Sequence, residues 1–133
     1  CENDEIDNIG IQKCNYKVFH ESIKKLNVIP DKILVDGKCF EPISINNKLI
    51  QHECIIKGDN LYLSIACASI IAKVEHDNYI DKLLSDRPDL KKYCLQNNYG
   101  YGTKDHINAI SKYGLSDFHR KSYKIKKLIF NNI

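Results

Sequence analysis

Two short apolar runs, each delivering an aspartate beside a glycine, constrain this chain more than any other feature. Lys32–Asp36 (KILVD) is β-branched and aliphatic and runs into Gly37. Cys54–Lys57 is a second run of strand type and ends at Gly58-Asp59. Such runs predict strands, and an unbroken apolar run suits a strand covered on both faces. Asp36 and Asp59 therefore stand where strand gives way to turn, and they can meet at one edge of a parallel or mixed sheet. Open α/β sheets place ligands beyond their strand ends. Two carboxylates brought together there repel, and a hard divalent cation relieves the repulsion. Asp-Gly is also ordinary turn chemistry, so either residue alone has a structural explanation.

Helical patterns surround these strands. From Asp4 to Leu26 acidic residues lead, apolar side chains recur at Ile11, Cys14, Val18, Phe19, Ile23 and Leu26, and Lys24-Lys25 close the pattern. Gly10 divides it into two pieces. Leu61–Ser85 predicts the longest helix, with a small-residue half (Ser64, Ala66, Cys67, Ala68, Ser69) suited to close packing on a sheet and an amphipathic half carrying Val74, Ile80 and Leu83-Leu84. Ser64 and Ser69 read as packing residues. Pro88 stops this helix, and a polar loop follows. Thr103 is the predicted N-cap of a shorter helix reaching about Tyr113, ended by Gly114. The order is that of an α/β protein, but two strands are too few for the sheet these helices need.

Composition excludes several classes. The chain has 133 residues, 43% hydrophobic and 28% charged, which is ordinary globular usage and implies one domain. It lacks an apolar run of about 20 residues, and its acidic opening does not resemble a secretory signal, so a cytoplasmic protein without membrane contact is expected. Net charge is +3, with Arg87 and Arg120 the only arginines, which permits a polyanionic partner without requiring one. Six cysteines form no CxxC pair, and reduced, mostly buried thiols are expected. Met is absent, so either the initiator is removed or the natural start lies outside these residues.

Two further segments have nucleic-acid chemistry. Gly100-Tyr101-Gly102-Thr103 exposes an aromatic ring at a helix entrance, where a sugar or base can stack and a phosphate can sit, although the same residues make an ordinary loop. His119-Arg120-Lys121-Ser122 and the following Lys124, Lys126 and Lys127 look like a phosphate grip or a solvated basic face.

Taken in order, LVDG (Leu34 to Gly37), KGD (Lys57 to Asp59), SIACASIIAKVEHD (Ser64 to Asp77), GYGTKDH (Gly100 to His106) and FHRKSY (Phe118 to Tyr123) resemble ribonuclease HII, the type 2 ribonuclease H family. EIDNIGI (Glu5 to Ile11) is similar to that family's helix after its early strands. The resemblance covers nearly the whole chain. It implies a ribonuclease H-like mixed sheet flanked by helices, with a helical C-terminal region. It also implies an endonuclease that cuts the RNA strand of RNA-DNA hybrids and cuts DNA at embedded ribonucleotides, using four carboxylates and Mn or Mg in two-metal chemistry. Asp36 and Asp59 would be metal ligands and catalytic residues. Tyr101 would stack on the deoxyribose following the ribonucleotide. Lys73, Thr103, His119, Arg120, Lys121 and Ser122 would lie near the site or the nucleic acid, and a monomer is expected.

The departures are specific. The family's Asp-Glu-x-Gly-Arg-Gly strand, which carries its first two carboxylates, has no counterpart in these residues, and Asp4-Glu5 belongs to a helix start instead. Glu75-His76 stands where Arg usually precedes Asp, and Asn98-Tyr99 where His-Lys usually precedes the Gly-Tyr-Gly turn. The expectation is a ribonuclease H type-2 domain incomplete at its N-terminus, lacking strands and half the metal site, and inactive by itself. The alternatives are a non-catalytic nucleic-acid-binding remnant of such an enzyme, and an unrelated α/β domain.

Overall fold

A computed structural model describes residues 1–123. The elements are α1 (Asn3–Ile9), α2 (Ile11–Lys24), β1 (Lys32–Asp36), β2 (Ser44–Ile45), β3 (Lys48–Leu49), β4 (Gln51–Ile55), α3 (Leu63–Asp86), α4 (Leu95–Asn98) and α5 (Lys104–Tyr113). Two 3-10 turns, Gly58–Asn60 and Pro88–Tyr93, join them. Gly10 separates α1 from α2, as the sequence predicts. The basic positions Lys124, Lys126 and Lys127 lie outside the described residues. Among those described, no helix is long and apolar enough to cross a membrane.

The chain is an α/β protein that divides into two compact units, the first containing Cys1 and residues 8–72 and the second residues 2–7 and those from Lys73 onward. In the first unit β1 and β4 pair in parallel, with Val35 opposite Cys54 and Asp36 opposite Ile55. A separate antiparallel pair joins β2 to β3. Its connection, Asn46-Asn47, has positive φ at both residues, the backbone of a two-residue hairpin turn that asparagine tolerates. Val35, Phe40, Ile43 and Ile50 form the buried core, with Ile23, Ile33, Ile45 and Cys54 packed on it.

Three sequence expectations need correction here. The second strand runs Gln51–Ile55 rather than Cys54–Lys57, because Lys57 adopts left-handed φ, ψ of 56° and 43° and turns the chain. The small-residue half of α3 is not packed: Ile65 is buried, whereas Ser64, Cys67, Ala68 and Ser69 are exposed, and Ile70 and Ile71 are each 64% exposed. The described sheet of two strands has too little surface to cover it. Thiols are likewise not mostly buried; all six are free and only Cys14 is fully buried.

In the second unit the apolar stripe of α3's latter half (Ile80, Leu84) meets Leu90, Tyr93 and Leu95 and the Ala109–Ile110 face of α5. Leu90 and Tyr93 are at most 1% exposed. The segment predicted as a polar loop after Pro88 instead supplies these core residues through its 3-10 turn and α4. α5 begins and ends as predicted: the Thr103 hydroxyl accepts the His106 N–H at its start, and Gly114 follows its last residue.

Candidate metal centre and nucleic-acid contacts

The first unit brings the two Asp-Gly segments together. Gly37, at φ +126°, turns the chain out of β1 while its N–H donates to Ile55 O at 3.0 Å. The same register aims Asp36 at the turn after β4, where its Oδ1 accepts the Gly58 N–H at 2.9 Å. Gly58 is closely packed: a Cβ there would lie 2.6 Å from Ile65 Cδ1, so the end of that side chain would have to shift, and 3.6 Å from Asp36 Oδ1. Asp59 follows in the 3-10 turn, and its Oδ1 accepts the Asn60 N–H at 3.1 Å. Both aspartates are exposed to solvent. These carboxylate oxygens are the donors a hard divalent cation takes, but six or more oxygens complete such a site. Among the described residues no group of three or more His, Cys, Asp or Glu side chains gathers around a possible metal position. The donor chemistry fits the ion, and the set is partial.

In the second unit Tyr101 is 59% exposed on a turn that is held tightly from behind. Its N–H donates to Asn98 O at 2.8 Å, and its carbonyl accepts the Thr103 N–H at 2.8 Å. Lys73 Nζ sits 5.4 Å from the Tyr99 ring centroid and 5.7 Å from that of Tyr101, within cation–π range. It donates to both oxygens of Asp77, at 2.9 and 2.7 Å, one turn along α3. The hydrogen bonds shift both groups: Asp77 raises the Lys73 pKa, and Lys73 lowers that of Asp77. His76 stands beside the Tyr101 ring at 6.2 Å. The arrangement is a flat aromatic face backed by a permanently charged lysine, suited to a sugar with its phosphate.

The His119–Ser122 segment is engaged differently from a bare phosphate grip. The Asp7 carboxylate accepts the Lys121 N–H at 2.7 Å, the Ser122 N–H at 3.0 Å and the Ser122 hydroxyl. Consecutive amides of this kind form an anion nest, and here a carboxylate of the same chain fills it. The Ser122 hydroxyl chiefly, and these amides with it, hold Asp7 below the usual carboxylate range. The Arg120 guanidinium lies 4.9 Å from the Tyr123 ring, and the His119 ring meets His106. Lys121 keeps an exposed side chain.

Sequence reasoning names Asn98-Tyr99 as a departure and Asp77 and His106 as motif residues but gives none of them a role, and it does not single out Asp7. For Asp77 a signal existed, since Lys73 and Asp77 are four apart on one helix face. Asp7 gave none, because its partners are more than a hundred residues away.

The Ribonuclease HII family model matches residues 1–126. The chain is 45% identical over 121 residues to Ribonuclease HII of Christiangramia forsetii, covering 91% of this chain and 58% of that protein. It is 41% identical over 128 residues to Ribonuclease HII of Clostridium acetobutylicum, covering 96% and 47%. For Ribonuclease HII of Rickettsia typhi the identity is 44% over 123 residues, covering 92% and 59%. The chain thus spans between 47% and 59% of the length of these three relatives.

Proposed function

The chain belongs to the ribonuclease HII family, and from that premise we propose that it serves hydrolysis of the RNA strand of RNA-DNA hybrids and of DNA duplexes at embedded ribonucleotides. The observation that carries the reading is the Asp36 Oδ1 to Gly58 N–H bond, which joins the LVDG and KGD segments at one strand edge. On this reading Asp36 and Asp59 hold a divalent cation, Mn or Mg. Bound there, the cation would activate water and neutralise charge on the cleaved phosphodiester. The Gly58 amide fixes one oxygen of Asp36, so that the carboxylate is oriented before the ion arrives. Tyr101 stacks on a sugar of the duplex, and Lys73, kept protonated by Asp77, offers charge to an adjacent phosphate. Thr103, His119, Arg120, Lys121 and Ser122 border the nucleic acid. A monomer working in the cytoplasm is part of the same reading.

Two carboxylates are a partial donor set, and the 133 residues contain no Asp-Glu-x-Gly-Arg-Gly sequence. By themselves these residues are therefore expected to bind duplex without cutting it. This second reading, binding without catalysis, is favoured by the lack of a third ligand among the described residues. The test is cleavage of a DNA duplex carrying one ribonucleotide, with Mn present, by the 133-residue chain alone and joined to a family segment bearing Asp-Glu-x-Gly-Arg-Gly. Cutting only by the joined protein, abolished by Asp36→Asn and by Asp59→Asn, is the expected result. Cutting by the chain alone would overturn the partial-site reading, and no cutting by either would overturn the assignment of activity.

A further inference from the structure

Asn3 and Asp7 stand four apart on α1, a spacing that puts both side chains on one helix face. That face grips the backbone of the segment after α5 with both polarities. The Asn3 carboxamide donates from Nδ2 to the carbonyls of Asp117 at 2.8 Å and His119 at 3.3 Å. One turn on, the Asp7 carboxylate accepts the N–H groups of Lys121 and Ser122 and the Ser122 hydroxyl. Donor meets carbonyl and acceptor meets amide, so these contacts pin the main chain of residues 117–122 in one register. α1 carries no buried residue and supplies none to either core, so apolar packing is not what makes this helix matter to the fold. Asp7 thereby joins the first and the last of the sequence pieces that carry the family resemblance, EIDNIGI and FHRKSY.

The grip uses backbone groups and leaves the cationic side chains outward. Lys121 is exposed, and the Arg120 guanidinium lies 4.9 Å from the Tyr123 ring. Arg120 stands between the held carbonyl of His119 and the held amide of Lys121, so its backbone is fixed on both sides. In charge alone Asp7 works against a polyanion, because a carboxylate beside Lys121 subtracts from the field that draws phosphate. An acidic residue at this place therefore helps nucleic-acid binding only through geometry.

We propose that Asn3 and Asp7 are positioning residues for nucleic acid, and that α1 is a clasp that orders Arg120 and Lys121 before a duplex arrives. The role rests on the reading that the His119–Ser122 segment borders nucleic acid; the clasp itself does not. Ordering a long charged side chain and its loop on binding costs about two- to tenfold in affinity, and a backbone already held avoids that cost.

The experiment measures, in EDTA, the affinity of the 133-residue chain for a DNA duplex carrying one ribonucleotide, in two backgrounds: unsubstituted, and with Arg120→Met and Lys121→Met together. Asp7→Ala and Asn3→Ala, the second without change of charge, should each weaken binding about two- to tenfold in the first background. Neither should matter in the second, since residues that act through Arg120 and Lys121 have nothing to act on once both are gone. Exchange of the Lys121 and Ser122 amides should quicken in Asp7→Ala while the Leu90 and Ile110 amides of the second core keep their rates, which marks the loss as local. Equal weakening in both backgrounds would make α1 a general support of the fold and overturn the proposal. So would binding left unchanged or tightened by Asp7→Ala, tightening being the response to a carboxylate that acts by charge alone. Binding indifferent to the joint loss of Arg120 and Lys121 would overturn the nucleic-acid role of the segment, and the proposal with it.

Discussion

Asn98 is the residue whose loss should report most directly on how the Tyr101 turn is built. It is 4% exposed, and its side-chain amide makes two bonds of 2.9 Å, donating from Nδ2 to Tyr93 O and accepting the Gly100 N–H on Oδ1. In Asn98→Ala the two orphaned groups fare differently. Gly100 is exposed, so water can take its N–H, and losing that bond costs about 0.5–1 kcal/mol. Tyr93 is 1% exposed, and a carbonyl left unpaired there costs about 1–3 kcal/mol. The sum is about 1.5–4 kcal/mol, a large part of the stability of a small domain. With a urea slope of about 1–3 kcal/mol/M the midpoint should drop by about 0.5–4 M. Asn98→Asp keeps the acceptor for Gly100 but turns a carboxylate toward a carbonyl. It should be no more stable than Asn98→Ala at neutral pH and should recover as the introduced carboxyl is protonated and can donate. An Asn98→Ala loss below about 0.5 kcal/mol would refute the assignment of Asn98 as the brace of this turn.

Other substitutions test the remaining structure. Leu90→Ala removes a fully buried side chain from the second core and should cost about 2–5 kcal/mol in denaturant unfolding, with a value under 1 showing that the cluster is not a packed core. Lys73→Met should weaken duplex binding across sequences and reduce the salt slope by about one unit; an unchanged slope would remove Lys73 from phosphate contact. The Asp7 contacts to Lys121 and Ser122 should persist above the usual aspartate value of about 3.9 and be lost as pH falls through the depressed folded value, because depressed carboxyl groups stabilise only when ionised. Hydrogen exchange of the Lys121 and Ser122 amides reads this directly, and Asp7→Asn should remove the acid step.

The local elements were legible where one physical signal acted alone. β1 matches the unbroken KILVD run, Gly10 divides the first helices, and Thr103 and Gly114 bound α5, because apolar periodicity and capping are local. β4 was misplaced because His52 and Glu53 are polar, one half-buried and one exposed on a strand that alternates, while the apolar Ile56 lies beyond its end. The Asn46-Asn47 hairpin had a readable turn signal that its two-residue strands were too short to support. The site divides in the same way. Asp36 and Asp59 announced themselves as strand-end aspartates, and Tyr101 as an aromatic between glycines. Of the groups that orient them, Asp77 is readable from its spacing to Lys73 and Asn98 lies within a few residues of its partners, whereas the Gly58 N–H and the His106–His119 contact depend on proximity that spacing does not encode.

The central claim is that Asp36 and Asp59 bind one cation. Mn titrated into the 133-residue chain, with paramagnetic broadening read at every amide, tests it most directly. The account predicts broadening centred on Gly37, Gly58 and Asp59, weakened by Asp36→Asn and by Asp59→Asn, with the double variant losing less than the two single losses combined. Broadening spread over the surface carboxylates, or centred on these amides and indifferent to both substitutions, would contradict it.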